Sequence, residues 1–311
     1  MFGYTFFKGI YMSIKHLVIS GGGPLGLRYL GALEKLEQDG FWKVDNIDSI
    51  YATSIGSIIG AFICLKYDWT TLNQYIIERP WKDVFKVNAK QLFDSYYNKG
   101  LFDKKIAEII FKPLLKAKNL ELTVTLKEFY EFSKIDLHIF TFELNNFETV
   151  EMSHKSHPDI ELVQALTMSS ALPGIFMPTI IEDKCFVDGG VMCNYPLNQC
   201  LRDHTNRDEI LGIKCSYDKD MDRFKNVTVT TDTSLLEYVI CLTINTMNFI
   251  RNTVAVETID NTVKCYVSEN PLTLDVIQEV IQNPELRRNL LTMGEKDAEQ
   301  FMYEKQLKNS M

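Results

Sequence analysis

The sequence predicts an α/β protein, and three observations carry that expectation. Between His16 and Gly60 an apolar run, a glycine loop, an amphipathic stretch, a second apolar run and a segment of small apolar residues follow one another as strand, loop, helix, strand and helix. Further apolar runs of strand length recur along the chain, with segments of helical periodicity between them. The composition, 46% hydrophobic and 24% charged over 311 residues, is that of a globular chain long enough to bury a core. No linker, repeat or low-complexity tract divides the chain, so a single domain with a C-terminal helical portion is expected.

Residues 1–12, MFGYTFFKGIYM, are aromatic, too short for a membrane span, and lack the long apolar region and cleavage site of a signal peptide. They are expected to pack on the domain, with contact at a membrane surface as the alternative. His16 to Ser20 reads as a strand that runs into Gly21, Gly22 and Gly23. Pro24 suits the first turn of a helix, since its fixed φ is helical and its missing N–H has no intrahelical partner there. Leu27, Leu30, Leu33 and Leu36 then share a face, and Gly40 ends the helix. A strand from Ser49 to Thr53 delivers Ser54 into IGSIIGAF, whose small residues let a helix lie close to a sheet. Thr70 to Lys118 reads as mostly helical, kinked at Pro113. Strands are expected over Asp136–Leu144 and Phe147–Met152, a helix over Ile160–Met168, and a strand over Cys185–Val187 that ends in Asp188-Gly189-Gly190. Beyond it come a strand from Glu209 to Cys215, a helix from Ser234 to Arg251, a strand from Val263 to Val267, and helices over Asp275–Gln282 and from Pro284 to about Gln306.

The first unit admits three chemistries. Gly21, Gly23 and Gly26 spell G-x-G-x-x-G, the dinucleotide fingerprint, but that fold wants an acidic residue at the end of the second strand. Asp45 and Asp48 precede that strand, and its end carries Ser54. The second reading is a nucleophile elbow, Ala52-Thr53-Ser54-Ile55-Gly56, with Ala in place of the first Gly of G-x-S-x-G. The third makes Ser54 a helix cap and the glycines a tight turn. Asp188, at the carboxyl end of a distant strand and before a Gly-Gly turn, can stand beside a hydroxyl held at a neighbouring strand end.

The glycine loop GGGPLG, the elbow ATSIG, the segment SSALPGIFMP, and DGG followed by NYP occur in the order in which the patatin-like phospholipase family carries them, and the chain resembles that family over about residues 14 to 215. The resemblance implies a three-layer α/β/α fold with a mainly parallel central sheet, and it stops before the expected C-terminal helical portion, about 216–311. It implies Ser54 as nucleophile, Asp188 as its catalytic partner, and an oxyanion loop of Gly21, Gly22 and Gly23, with Gly26, Gly56, Gly189 and Gly190 supporting the motifs. Pro24 donates nothing, so the oxyanion donors come from Gly22, Gly23 or Ile55. Where the family carries Arg or Lys in the loop, Leu25 stands here, and Arg28 is the candidate for a supporting charge. The helical stretch from Thr70 to Lys118 offers a lid or acyl-chain wall as well as plain packing.

A serine hydroxyl becomes a nucleophile when a base held close and partly desolvated takes its proton, so a Ser-Asp dyad without histidine is workable. The rival triad Ser54, Asp188, His204 has the chain order of the α/β-hydrolases, but there several strands precede the elbow. Here one does, and His16, His138, His154, His157 and His204 all stand in contexts of core or surface histidines. Seven cysteines without a CxxC read as reduced thiols of a cytoplasmic or intracellular protein, and neither Cys185, Cys193 and Cys200 nor His154 and His157 has structural-zinc spacing. No metal or cofactor is expected. The net charge of −8 argues against nucleic acid and against general attraction to anionic membrane, leaving local patches such as Lys112, Lys116 and Lys118. The expected function is release of fatty acid from phospholipids or lysophospholipids at a membrane or micelle interface, by a protein peripheral to membranes. A neutral-lipid or general carboxylesterase with the same dyad and a catalytically weak lipid-binding or regulatory module are the alternatives. An activating protein partner has no signature in the sequence.

Overall fold

In the computed structural model, residues 13–217, 228–267, 272 and 274–310 are described, so the aromatic stretch 1–12 lies outside the described residues. β1 (His16–Ile19), buried throughout, passes through a 3-10 turn at Gly23–Gly26 into α1 (Leu27–Gln38). β2 (Ser49–Thr53), equally buried, ends at Ser54, where α2 (Ile55–Cys64) begins. The segment expected to be helical holds α3 (Trp69–Glu78), α4 (Trp81–Val84), α5 (Ala89–Asn98) and α6 (Lys105–Ala117), the last with Pro113 inside it, and a short strand, β3 (Gly100–Phe102), that periodicity did not reveal. α7 (Leu126–Ser133) leads to the hairpin of β4 (Asp136–Glu143) and β5 (Glu148–Met152), and α8 (Leu162–Ser169) to β6 (Gly174–Phe176), β7 (Thr179–Ile181) and β8 (Lys184–Asp188). The rest comprises α9 (Leu197–Asp203), β9 (Ile210–Tyr217), α10 (Leu235–Thr253), β10 (Thr262–Val267), α11 (Leu274–Gln282) and α12 (Pro284–Asn309).

Among the described residues eight strands form the main sheet, and five of them, in the order β10, β9, β1, β2 and β4, run parallel. Alternation of side chains sorts the core onto two faces. Leu17, Ile19, Ile50, Ala52, Leu137 and Ile139 join the larger cluster with α1 and α2, while Val18, Tyr51 and Phe140 join Leu197 and Cys200 of α9 on the opposite face. The result is the three-layer α/β/α arrangement with a mainly parallel sheet.

β4 pairs with three strands although a strand has two edges. Its residues 136–140 pair with β2, 139–143 with β5, and 141–143 with β8. β5 overlaps both other partners, so it takes one edge alone, and β2 and β8 share the other end to end. Thr53 stands opposite Phe140 and Asp188 opposite Thr141, so the carboxyl tips of the two strands meet head to head on one edge of β4.

Arg28 lies on the face of α1 that packs on α12. Its guanidinium holds the carboxylate of Asp297 through Nε at 3.0 Å and Nη2 at 2.7 and 2.8 Å, and also donates to the carbonyl of Tyr266. Both partners are largely shielded, with side chains 7% and 11% exposed. Removing one partner of a shielded pair strands the other charge, so Asp297→Ala is expected to lower the unfolding free energy in urea by about 3–5 kcal/mol. Adding Arg28→Met should recover much of that loss, because no charge is then left without a counter-ion.

Candidate active site

Ser54 adopts φ 54° and ψ −127°, a backbone conformation that a side chain rarely takes and that the surrounding contacts must enforce. Its N–H donates to Ser169 Oγ at 2.9 Å, and that hydroxyl donates in turn to the Phe140 carbonyl at 2.6 Å. Its carbonyl accepts from Ser57 Oγ at 2.6 Å and Ser57 N–H at 2.8 Å, while Thr53 Oγ1 donates to the Cys193 carbonyl at 2.8 Å. α2 begins so close to β1 that a Cβ on Gly56 would press into the carbonyl oxygens of Ile19 and Ser20.

The meeting of strand tips brings the hydroxyl of Ser54 to the carboxylate of Asp188, where Oγ donates to Oδ2 at 2.7 Å. The other oxygen, Oδ1, accepts from the Gly190 N–H at 2.7 Å, and the backbone N–H of Asp188 is held by the Ala171 carbonyl. Thr141 Oγ1 donates to the Val187 carbonyl at 2.8 Å and keeps the end of β8 on β4. Gly189 passes over Phe140 so closely that a Cβ would overlap the Phe140 carbonyl. Asp188 is only 4% exposed. Burial pushes its carboxyl up, the hydrogen bonds from Ser54 and Gly190 pull it back, and the balance lies at about 6. No cation forms an ion pair with it among the described residues, so the carboxylate is poised to accept a proton near neutral pH.

The glycine loop lies beside this pair, since a Cβ on Gly21 would stand 3.3 Å from Ser54 Cβ. The amides of Gly22, Gly23 and Ile55 have no hydrogen-bond acceptor among the described residues. A Cβ on Gly26 would collide with the Ile55 side chain, which shows how tightly the loop abuts the start of α2. Gly21, expected as part of the oxyanion loop, differs: its N–H donates to the Asn194 carbonyl at 2.9 Å, and its own carbonyl accepts from Asn194 Nδ2 at 3.3 Å. It fastens the loop and has no amide hydrogen to offer. Arg28 is also corrected, because its guanidinium is committed to Asp297 and Tyr266. Leu25 packs among Val267, Val276, Val280 and Leu290, so that position serves an apolar core here.

The model of the patatin-like phospholipase family matches residues 17–201, a span that contains Ser54, Asp188 and the glycine loop. The chain belongs to the patatin-like phospholipase family. A protein named "Probable lipid hydrolase 463L", from invertebrate iridescent virus 6, is 28% identical over 200 residues, covering 63% of this chain and 66% of that protein. The neuropathy target esterase sws of Drosophila willistoni is 28% identical over 183 residues, covering 58% of this chain and 11% of the fly protein. The patatin-like chain thus spans just under two thirds of the viral relative and a small part of the fly one. Among solved structures, VipD from Legionella pneumophila is similar at 16% identity and TM-score 0.49, covering 90% of this chain and 67% of that one.

Three side chains of this patatin-like site had no assigned role in the sequence: Ser169, Thr141 and Asn194. Ser169 and Asn194 fall inside the SSALPG and NYP segments, so the motif was visible while the hydrogen bonds that give it purpose were not. Thr141, in the middle of β4, carried no signal. His204 lies at the opposite end of β2, with Nε2 3.3 Å from Ser49 Oγ and its ring stacked on His16 at 3.6 Å. The five-residue strand between them puts it roughly 16 Å from Ser54. One group of metal-capable side chains converges among the described residues, His138, Glu151 and Asp203, with ligand atoms within 4.8 Å of one another. Glu151 Oε1 at 2.6 Å and Asp136 Oδ2 at 3.3 Å already occupy both ring nitrogens of His138. Burial pulls this imidazole down, the hydrogen bonds to Asp136 and Glu151 outweigh it, and the ring is pushed up to about 9, so an imidazolium already supplies the positive charge.

Because folding raises the Asp188 carboxyl above its ordinary value, ionising it costs stability. That cost is absent below about pH 4, grows as pH rises toward 6, and stays at about 3 kcal/mol above it. Asp188→Asn is therefore expected to have a higher unfolding free energy in urea than the parent at pH 8, by up to that amount, with the difference closing as pH falls to 4.

Proposed function

We propose that this protein is a serine acyl-hydrolase that releases fatty acid from phospholipids or lysophospholipids, with Ser54 as nucleophile and Asp188 as its base. The 2.7 Å contact between Ser54 Oγ and Asp188 Oδ2 carries the reading. As Oγ attacks the ester carbonyl, its proton passes to Asp188, and the oxyanion that forms takes hydrogen bonds from the amides of Gly22, Gly23 and Ile55. The protonated Asp188 then gives its proton to the departing alkoxide, leaving an acyl group on Ser54. Asp188, ionised again, takes a proton from water, the hydroxide attacks the acyl carbonyl, and the fatty acid leaves as Ser54 recovers its proton.

Buried apolar side chains stand next to Asp188 and favour an acyl chain as the neighbour of the site. The methyl of Met247 on α10 lies against Gly190, next to Asp188, and Met247 packs with Leu172, Ile175 and Ile244. The family and the viral relative's name support lipid as the substrate class. Fatty-acid release from phosphatidylcholine, lysophosphatidylcholine and triacylglycerol distinguishes a phospholipase from a neutral-lipid esterase with the same dyad, and release from the first two is expected to exceed the third. No release from any of them, with no labelling of Ser54 by a fluorophosphonate, would leave the fold as a lipid-binding module.

Ser54→Ala is expected to lower kcat/KM on a soluble short-chain ester by at least about 10³-fold, while His204→Ala keeps it near the parent value. The base works only when ionised, so kcat/KM should fall tenfold per pH unit below about 6 and level off above. A profile flat from pH 5 to 8 would rule out Asp188 as the base.

A further inference from the structure

One end of the molecule carries apolar side chains that no described residue covers. α5 buries none of its residues: Leu92 is 55% exposed, Phe93 and Tyr96 74%, and Tyr97 68%. A ten-residue helix is marginal in water by itself, and helices of this length are ordinarily held by an apolar face packed on something. α5 is nonetheless fixed at both ends, by a capping box between Asn88 and Gln91 and by β3, which follows at once and pairs with β6. Against β6 lies α10, whose inner face buries Ile240, Ile244 and Met247. Its outer face sets Leu235, Tyr238, Leu242 and Phe249 in water, at the helical spacing of a second apolar stripe. α5 and α10 thus flank the small β3–β6 sheet, and β6 begins three residues after Ala171, whose carbonyl holds the backbone of Asp188.

The charge beside this surface runs against that of the whole chain. In a protein of net charge −8, exposed Lys82 and Lys86 before α5 and Lys90 in its first turn form no ion pair among the described residues, and with Lys99 they outnumber Asp83 and Asp94 on the same stretch. Aromatic side chains with polar tips, leucines and unpaired lysines on α5 and the turn before it are the chemistry of a helix lying in the headgroup region of an anionic bilayer, and α10 carries a like apolar stripe on the far side of the β3–β6 pair. We propose that α5, together with the outer stripe of α10, docks this protein on anionic phospholipid membrane and sets the Ser54–Asp188 end of the sheet against the lipid. The purpose of the docking rests on the hydrolase reading above; the docking itself is measured without turnover.

The full-length Ser54→Ala protein is sedimented with vesicles of phosphatidylcholine alone and of phosphatidylcholine mixed with phosphatidylserine. Binding to the mixed vesicles is expected, weakened at least about tenfold by Phe93→Asp with Tyr97→Asp. Lys82→Glu, Lys86→Glu and Lys90→Glu together should remove the preference for phosphatidylserine. With Ser54 intact, the same variants should turn over a soluble short-chain ester within about twofold of the parent, which shows that they fold. Equal vesicle binding by parent and the Phe93/Tyr97 variant, no binding by the parent, or a dimer in sedimentation velocity that Phe93→Asp dissolves would overturn the proposal. The last outcome would assign the surface to a second copy of the chain. Failure of the intact protein to cleave any ester would sink the hydrolase reading and leave the vesicle result standing.

Discussion

The candidate site depends on how one edge of β4 is divided. A parallel strand and an antiparallel strand cannot both pair along the same stretch of that edge, so β2 takes its first five residues and β8 its last three, and their ends face each other across the Phe140–Thr141 peptide. The side groups at that junction secure the arrangement. Ser169 ties the elbow to the Phe140 carbonyl, Thr141 ties the end of β8, and the absence of a side chain at Gly189 lets the following turn pass over Phe140. Backbone pairing sets the separation of hydroxyl and carboxyl, which is why two residues so distant in sequence arrive at hydrogen-bonding distance without a flexible loop between them.

Burial sets the acid–base character of that pair. Water would hold the carboxyl of Asp188 at an ordinary acidity, too weak a base to help a serine. Buried at the edge of the site, and with no partner cation among the described residues, the same group is pushed to about 6, close to where a base works at neutral pH. The opposite end of the sheet shows the contrary solution. There, the shielded Asp136 lies between the His138 imidazolium and the Lys155 ammonium, and the part-exposed Glu151 takes the other ring nitrogen of His138, so the charges are balanced and the cluster serves cohesion. The two ends share one protein interior, and a counter-ion among the described residues separates a carboxylate held as a fixed charge from one able to take up a proton near neutral pH.

Much of this was legible in the sequence where a residue's role is local. The strand, loop and helix order from His16 to Gly60 could be read because periodicity and glycine placement act within a few residues, and the family resemblance rested on motifs of the same kind. Short strands such as β3 and β6, at three residues each, leave no period to detect. Roles that need a distant partner were hidden as well. Arg28 stands three residues after Leu25 and reads as a loop cation, yet its partner Asp297 is 269 positions away, and only the packing of α12 on α1 explains its charge. Gly21 belongs to the glycine run, and its amide is lost to Asn194 across 173 positions, which no spacing rule conveys.

With Leu25 in the core and Arg28 in a helix joint, the loop beside Ser54 offers only peptide dipoles. A guanidinium at that place would bring a full charge whose field reaches into solvent and fades as salt is added. Oriented amides act over a hydrogen-bond length, well inside the distance at which salt screens. The proposed hydrolysis would therefore take no help from a screened charge at Ser54, and added salt would act instead on exposed lysines such as Lys82, Lys86 and Lys90.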